Sequence, residues 1–517
     1  MEIEREIKFR LSPAAARRLG RLVRFAGPPR RREVVSVYYD TRRERLRRAG
    51  VALRLRRDGR RWLQTLKGEP DAHAGLAERA EWEVPVRHRR LDLDSFPREA
   101  IMAATGVDLR RLGGKLHALF ETRFTRRSGT VALDGGGRAE ISVDRGRVAA
   151  GRRHEPIHEL ELELKAGGPR PMLRLAERLA EPLALEIEFE SKAARGYRLA
   201  SDHPAESPHR WRRPALHELA TPGEAFPALF SAALAQAGAN ARGVVHSSDP
   251  EFLHQMRVGL RRLRSVLRAF RSMVPPRSAK PVVRPLRKLI PPLSAGRDWD
   301  VFCEWLAAAA ARGPEGAADL RELLARARKR RSAARRAARA AVSRPAFQRF
   351  LLRALRWLHG APWSLRAAAR DIPLAEHARD SLERLHRKAL RQARGIDWHD
   401  TARRHALRIR IKRLRYACEF FAPCFPRASV RPYLKRLQAL QDILGELNDV
   451  AVARRLVSEL APRGSAPEIA VAAARARRIV AAREQALIAS LEPAWAALEK
   501  RRRFWRGHPR RSIRAAA

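Results

Sequence analysis

The 517-residue sequence predicts a multidomain α+β protein: an N-terminal antiparallel β-barrel enclosing a tunnel, with covering helices, followed by a duplicated all-α helical bundle. Three observations carry this reading. Up to about residue 200, apolar and charged residues alternate with period two. Beyond about residue 218, Ala, Leu and Arg recur with helical period, and one basic segment of that half occurs twice in a fixed register. Between the two textures lies "SDHPAESPHRWRRP", polar and Pro-containing, which reads as a linker. The expected organisation is a barrel over 1–202, a linker over 203–217, a helical domain over 218–500 with repeats at about 218–345 and 374–500, and a basic tail over 501–517.

Charge separates the halves as well. The chain carries 108 Lys+Arg against 56 Asp+Glu, a net charge of +52. Residues 1–202 hold 44 basic against 30 acidic side chains, and the remainder 64 against 26. Such an excess favours a polyanionic partner: nucleic acid, an acidic membrane surface or a phosphate polymer. Only 12 of the basic residues are Lys. That arginine bias can come from genome base composition, so charge alone does not identify the partner. Cys303, Cys418 and Cys424 have neither metal-ligand spacing nor a disulfide framework. The N-terminus is charged from residue 2, with no apolar signal segment. The longest uncharged run, Ala225 to Ala241, contains Pro227 and Gly238, against a transmembrane helix. The expectation is a reducing, cytoplasmic location.

The strands follow in order. In "MEIEREIKFRL" an extended backbone puts Glu2, Glu4, Glu6 and Lys8 on one face and Ile3, Ile7 and Phe9 on the other. "VALRLRR" aligns Arg54 and Arg56; "AERAEWEVPV" aligns Arg79, Glu81 and Glu83; "AEISVDRG" aligns Glu140, Ser142 and Asp144. "HELELELK" aligns Glu159, Glu161, Glu163 and Lys165, and "LEIEFESK" aligns Glu186, Glu188, Glu190 and Lys192. For one strand alone, a solvated outer face would suffice. Across the set, acidic and basic faces are segregated by strand, and helical stretches ("SPAAARRLGRLVRF", "PMLRLAERLAEPL") are available to cover the apolar sides. The charged faces then point inward, into a closed barrel. Clustered carboxylates suit hard divalent cations, Mg²⁺ or Mn²⁺. Facing Arg and Lys suit a multiply charged phosphate chain.

"EREIK" (Glu4, Glu6, Lys8) resembles the ExExK signature of the CYTH superfamily, the triphosphate tunnel metalloenzymes. Ordered matches continue in "YYDT", "ALRLR", "TLK", "RAEWE", "FTR", "ELELE" and "SKAARGY" over nearly 200 residues. The resemblance implies a divalent-metal hydrolase of a linear triphosphate, in a family that includes inorganic triphosphatases, thiamine triphosphatases and class IV adenylate cyclases. Carried over by position, Glu4, Glu6, Glu159 and Glu161 would hold metal, with Glu163 and Asp144 as further candidates. Lys8, Arg54, Arg56, Lys67, Arg126 and Lys192 would grip phosphates, and Glu4, Glu6, Lys8, Lys67 and Glu161 would carry the catalysis. No cluster of aromatic or hydrogen-bonding residues marks a base pocket, so an inorganic substrate leads and a nucleoside or thiamine triphosphate is the alternative.

In the second half, "LHQMRVGLRRLRSVLRAF" from Leu253 and "RHALRIRIKRLRYACEFF" from Arg404 repeat at an offset of 151 (405 − 254), an offset that Asp298 and Asp449 share. Asp249, Pro250 and Glu251 form a helix start. At about 100° per residue, His254, Arg257, Arg261, Arg264 and Arg268 share a stripe beside an apolar one, and the second copy repeats it with His405, Arg408, Lys412 and Arg415. A solvated face would mix in Glu for i,i+4 pairing, and the first stripe has none. Two helices facing across a pseudo-twofold axis would thus form a basic groove. Together with "RDWDV" and "LGELNDV", these segments resemble the CHAD domain, which implies binding of inorganic polyphosphate without chemistry. Asp298 and Asp449 would orient Arg residues or cap helices. Ser294, where "LG" would place Gly, is expected to alter a turn. Nucleic acid ranks second as a partner, because no aromatic residue interleaves the stripe. The tail reads as disordered and electrostatic, with its Trp and Phe available to a membrane surface or a polyphosphate granule. A non-catalytic polyphosphate-binding or granule-associated protein is the remaining alternative.

Overall fold

Eight antiparallel strands close on themselves because β1 pairs on both edges, with β5 and with β8, strands 70 and 150 residues away. In the computed structural model the strands are β1 (Glu2–Arg10), β2 (Arg30–Thr41), β3 (Val51–Asp58), β4 (Arg61–Gly68), β5 (Leu76–Val86), β6 (Leu116–Ala132), β7 (Arg138–Ala150) and β8 (Arg153–Ala166). The structure describes residues 2–59, 61–68, 75–202, 205–214, 216, 221–311, 317–361 and 370–506. Part of the expected linker (203, 204, 215 and 217), the expected start of the helical domain (218–220) and the tail beyond 506 lie outside them. The described chain divides into two compact units. One comprises Met1–Arg212, Leu234–Gly243 and Arg344–Ala361; the other Arg213–Ala233, Val244–Ser343 and Pro362–Ala517.

In the first unit, the alternation sorts side chains as expected. Ile7, Phe9, Leu160 and Leu162 are fully buried on the outer face of the barrel, and Leu53, Leu66 and Trp82 pack outward against Ile101 and Phe96. Their neighbours in sequence turn inward. Gly135 and Gly136 take left-handed φ (78° and 79°) to close the β6–β7 hairpin. One strand expectation fails. Only Glu186–Ile187 of "LEIEFESK" pairs as strand, because Ser191 caps a helix, Lys192–Ala200, by accepting from the Ala194 amide at 3.0 Å. That helix packs inside the barrel, its Tyr197 and Leu199 sharing a core with Val148, Ile157, Phe120 and Tyr38. Asp40 anchors it: the carboxylate accepts from Tyr197 Oη at 3.0 Å and from the amides of Leu46 and Arg47 at 2.9 Å.

In the second unit, helices Pro250–Ala269 and Thr401–Phe421 are the duplicated basic pair, capped by Asp249 and Asp400. Each is followed by a long helix, Lys280–Ala311 and Arg427–Leu460. Beside the basic stripes of the duplicated pair, Leu253, Met256, Leu260 and Leu263 are buried on the first helix, and Leu407, Ile411 and Leu414 on the second. Ser294 and Gly445 both lie inside the long helices, so no turn exists there for the substitution to alter.

The tail expectation is overturned as far as Arg506. Phe504 and Trp505 are buried, and the Trp505 ring meets Tyr433, His386 and Phe504 at centroid distances of 5.0, 5.5 and 4.9 Å. Trp505 Nε1 donates to Glu383 at 3.0 Å, and Arg506 pairs with the same carboxylate at 2.7 Å. These aromatics are committed to the core and are not free for a membrane or a granule. Trp505→Ala is expected to destabilise the helical unit by about 3–5 kcal/mol in denaturant melts, and Trp505→Phe by about 1–2 kcal/mol.

A charged barrel interior and a basic groove

The inward faces of the barrel meet around a cavity of about 650 Å³, lined by charged side chains from β1, β3, β4, β5, β6, β7 and β8. Every barrel residue predicted as a site faces this interior or its wall, and all but Glu163 fall into three groups. The first is built on β1. Glu4 pairs with Lys67 at 3.0 Å and Arg79 at 2.8 Å; Glu6 pairs with Lys8 at 3.0 Å and with Arg79. Burial would raise the Glu4 pKa, but Lys67, Arg79 and Lys8 outweigh it and hold the carboxyl well below the usual range.

The second group is the carboxylate trio Asp144, Glu159 and Glu161, whose oxygens lie within 4.8 Å of one another. Register explains the convergence: Asp144 on β7 is opposite Glu159 on β8, and Ser142 is opposite Glu161. Lys192 reaches all three from the inner helix, at 2.9, 2.5 and 2.6 Å. Arg126 adds a bidentate pair to Asp144 at 2.7 and 2.8 Å and contacts Glu161. Burial alone would raise Glu161, yet Lys192, Lys8 and Arg126 hold it well below the carboxylate range. Lys8 links the first two groups, 3.4 Å from Glu161.

The third group is Arg54 and Arg56, 3.7 and 3.8 Å from Glu81 and Glu83. Arg54 Nε and Nη2 and Arg56 Nε are buried with no hydrogen-bond partner among the described residues. Burial, with Arg54 and Arg126 nearby, pushes the Arg56 guanidinium down to about 10. Buried donors left unmade cost free energy that an anion would return.

Three carboxylates already gather around one cation, the Lys192 ammonium, and their donors are all oxygen. That set fits a hard divalent ion. Glu4 and Glu6 stand apart from the trio, paired to bases, and Glu163 pairs with Lys165. Arg79 is the lumen residue whose role the sequence did not disclose. The alternation placed it on the inner face, but only the β1–β5 register, Glu4 opposite Arg79, shows that it bridges Glu4 and Glu6.

In the helical unit, Arg257, Arg261, Arg408 and Lys412 come within electrostatic reach of one another from the two repeats. Burial and these like charges push Arg257 down to about 10 and Lys412 down to about 6. Asp298 lies 3.9 Å from both Arg257 and Arg455, and, sitting within a helix, it caps none. The outer members separate. Arg415 pairs with Glu419 and lies over Tyr416, whereas Arg264 sits among Arg268 and Arg413. His254 is half-buried beside Arg297, and His405 contacts Asn448 Oδ1 at 3.0 Å from an exposed position.

A family model described as CYTH domain matches residues 2–197, and one described as CHAD domain matches residues 228–458. An inorganic triphosphatase of Haemophilus influenzae is 29% identical over 173 residues, 32% of this chain and 46% of that protein. The chain thus spans about half the length of that curated relative. The crystal structure of the CHAD domain from the plant Ricinus communis is 36% identical, covers 58% of this chain and 98% of that one, and superposes with a TM-score of 0.50. A Hippeastrum protein reported to have a dominant triphosphatase activity is 21% identical, covering 38% of this chain and 95% of its own, with a TM-score of 0.29.

Proposed function

Because the chain belongs to the CHAD family and carries a CYTH domain ahead of that domain, we propose that it hydrolyses inorganic triphosphate or short polyphosphate in the barrel and binds inorganic polyphosphate on the helical unit. The observation that carries the first half is the set of guanidinium donors of Arg54 and Arg56, unsatisfied among the described residues, in a cavity that Glu161 of the carboxylate trio also lines. Tunnel enzymes of this family depend on a metal, and a Mg²⁺ or Mn²⁺ ion held by Asp144, Glu159 and Glu161 would supply charge neutralisation and activation of water. Glu4 and Glu6 orient Lys67, Arg79 and Lys8 toward the cavity. Arg54, Arg56 and Arg126 hold the phosphate chain through charge-assisted bonds, and their pairing excludes water from its oxygens. Lys192, the cation now among the trio, would pass to a phosphate oxygen.

An inorganic substrate is favoured by the state of Phe124. Arg126 and Lys192 already lie over its ring at 5.5 and 5.2 Å, so a base stacking where they sit would have to displace a cation. Phosphate release measured on inorganic, thiamine and nucleoside triphosphates with Mg²⁺, Mn²⁺ or Co²⁺ tests this. Turnover of tripolyphosphate ahead of the others is expected. Preference for ATP would move the assignment to a nucleotide-acting tunnel enzyme. No release under any metal, beside tight polyphosphate binding, would make the protein a non-catalytic, granule-associated binder.

The groove reading has a pH signature. Lys412 faces Arg261, Arg408, Arg415 and Asp449, and with a pKa of about 6 it is neutral in the free protein at neutral pH. A bound polyanion favours the ammonium, so binding takes up a proton. Affinity is therefore expected to fall as pH rises above about 6, by up to about tenfold per unit. Lys412→Arg should flatten that slope between pH 7 and 9 in titrations with polyphosphate. A slope unchanged in the variant would remove Lys412 from the site.

A further inference from the structure

Duplication gives each groove residue a mate 151 positions away, and missing mates are informative. The register holds in space. Phe270 packs on Phe226 at 5.5 Å, and its mate Phe421 packs at 5.8 Å on His377, the mate of Phe226. Under that symmetry the two ends of the groove should match, and they do not. At one end Glu419 pairs with Arg415 and lies 3.9 Å from Arg262. The mate of Glu419 is Arg268.

At this second end Arg264, Arg268, Arg410 and Arg413 act on one another, and among the described residues the largest charges that act on Arg268 or Arg413 include no acid. Lys388, on helix Leu374–Ala393, continues the run; the largest charges acting on it are Arg271, Arg384, Arg410 and Arg391, and the acid Asp380 acts on Arg384. The mates of Arg410, Arg271 and Lys388 are Gly259, Ala422 and Ala237. The excess of bases is therefore an addition to the repeat on one side only. A solvated basic face would hold its side chains apart in water. Here Arg268, Arg410, Arg413 and Lys388 are all partly buried, and burial with mutual repulsion depresses Arg413 to about 10. Only Arg384 among them has a structural task, donating to the Arg268 carbonyl at 3.2 Å and so capping helix Pro250–Ala269.

We propose that the polyanion surface of the helical unit leaves the pseudo-twofold centre in one direction only, passing from the four central bases over Arg268, Arg410 and Arg413 to Lys388. It rests on the polyphosphate reading above and deepens it: the preferred ligand is a linear chain longer than the centre alone can hold. Base-by-base contact along such a track releases counterions in proportion to its length.

The test uses the full chain with metal chelated, so that no polyphosphate is cut, and compares short-chain with long-chain polyphosphate. Arg268→Ala/Lys388→Ala/Arg413→Ala leaves the capping Arg384 in place. Its affinity for the long chain should fall more than about tenfold, and its log–log salt slope by about three, one per base removed. Affinity for the short chain should stay within about twofold, which also reports an intact fold. Arg328→Ala/Lys329→Ala/Arg330→Ala removes the same charge from an exposed helix face and should leave both affinities near wild type. Equal loss for both lengths, no loss for either, or an equal loss in the second variant would overturn the proposal. A DNA duplex weakened more than the long polyphosphate would overturn the choice of ligand. Failure of the underlying reading looks different: the unmodified chain then binds neither length.

Discussion

Glu161→Gln will abolish metal-dependent phosphate release from tripolyphosphate, lowering the rate by about three orders of magnitude, on the order of 4 kcal/mol in the barrier. Glutamine keeps the shape of the side chain and removes its charge. The loss touches three bases at once, since Lys192, Arg126 and Lys8 all pair with this carboxylate. It also takes one of three oxygen ligands from the trio. Two effects should be separable. The metal concentration needed for half-maximal release should rise by at least about tenfold, as loss of a ligand or its support does. Excess metal should not restore the rate, because the bases that position the phosphate chain will have lost their common partner. Glu163→Gln is the comparison: Glu163 pairs with the half-exposed Lys165 and stands outside the trio, so release should stay within about threefold of wild type. Wild-type release from Glu161→Gln would mean that the trio is not the metal centre.

Melting separates catalysis from folding. Leaving Lys192 and Arg126 without part of their counter-charge in a buried cluster is expected to destabilise the barrel by about 3 kcal/mol. The intact carboxyl, held below its ordinary pKa, contributes stability above about pH 4.3 and loses it as pH falls through the folded-state value. The wild-type barrel should therefore lose stability in acid more steeply than the Gln variant.

What could be read without coordinates followed the range of the forces involved. Period-two alternation is local, and it placed Glu4, Arg54, Glu81, Asp144 and Glu161 on inner faces. Which of them meet is a matter of closure. Glu4 is opposite Arg79 only because β1 pairs with β5, and Asp144 reaches Glu159 only through the β7–β8 register. Lys192 kept its predicted neighbours while changing its element. Alternation in "LEIEFESK" continues up to Ser191, where a hydroxyl bound to the Ala194 amide starts a helix instead. Trp505 sits in a run of Arg that looks like a solvated tail. Its burial depends on Tyr433 and Glu383, 72 and 122 residues earlier, for which no local pattern exists. The 151-residue repeat was legible in full as a register, but the separation of Arg264 from Arg415 was not. It arises from the one position where the mates are Arg268 and Glu419.

Reversing Arg257, Arg261, Arg408 and Lys412 together to Glu should eliminate polyphosphate binding, with affinity reduced by more than about 10³-fold at physiological salt and the salt slope lowered by about four. These four bases come from both basic helices and act on one another, so neither helix alone can replace them. The depressed pKa values of Arg257, Arg408 and Lys412 state the same fact in energetic form. Burial and like charges oppose protonation here, and a polyanion removes that opposition when it binds. Reversal turns the attraction into repulsion next to Asp298 and Asp449, so the milder change of all four to Gln guards against misfolding. It should lose roughly 10²-fold with an unaltered melting profile. The carboxylate trio belongs to the barrel unit, and these bases belong to the helical unit. Tripolyphosphate hydrolysis should accordingly keep its wild-type rate in both variants. Retained binding in the Gln variant would place the polyanion elsewhere on the helical unit, and lost hydrolysis would mean that substrate reaches the barrel only by way of these bases.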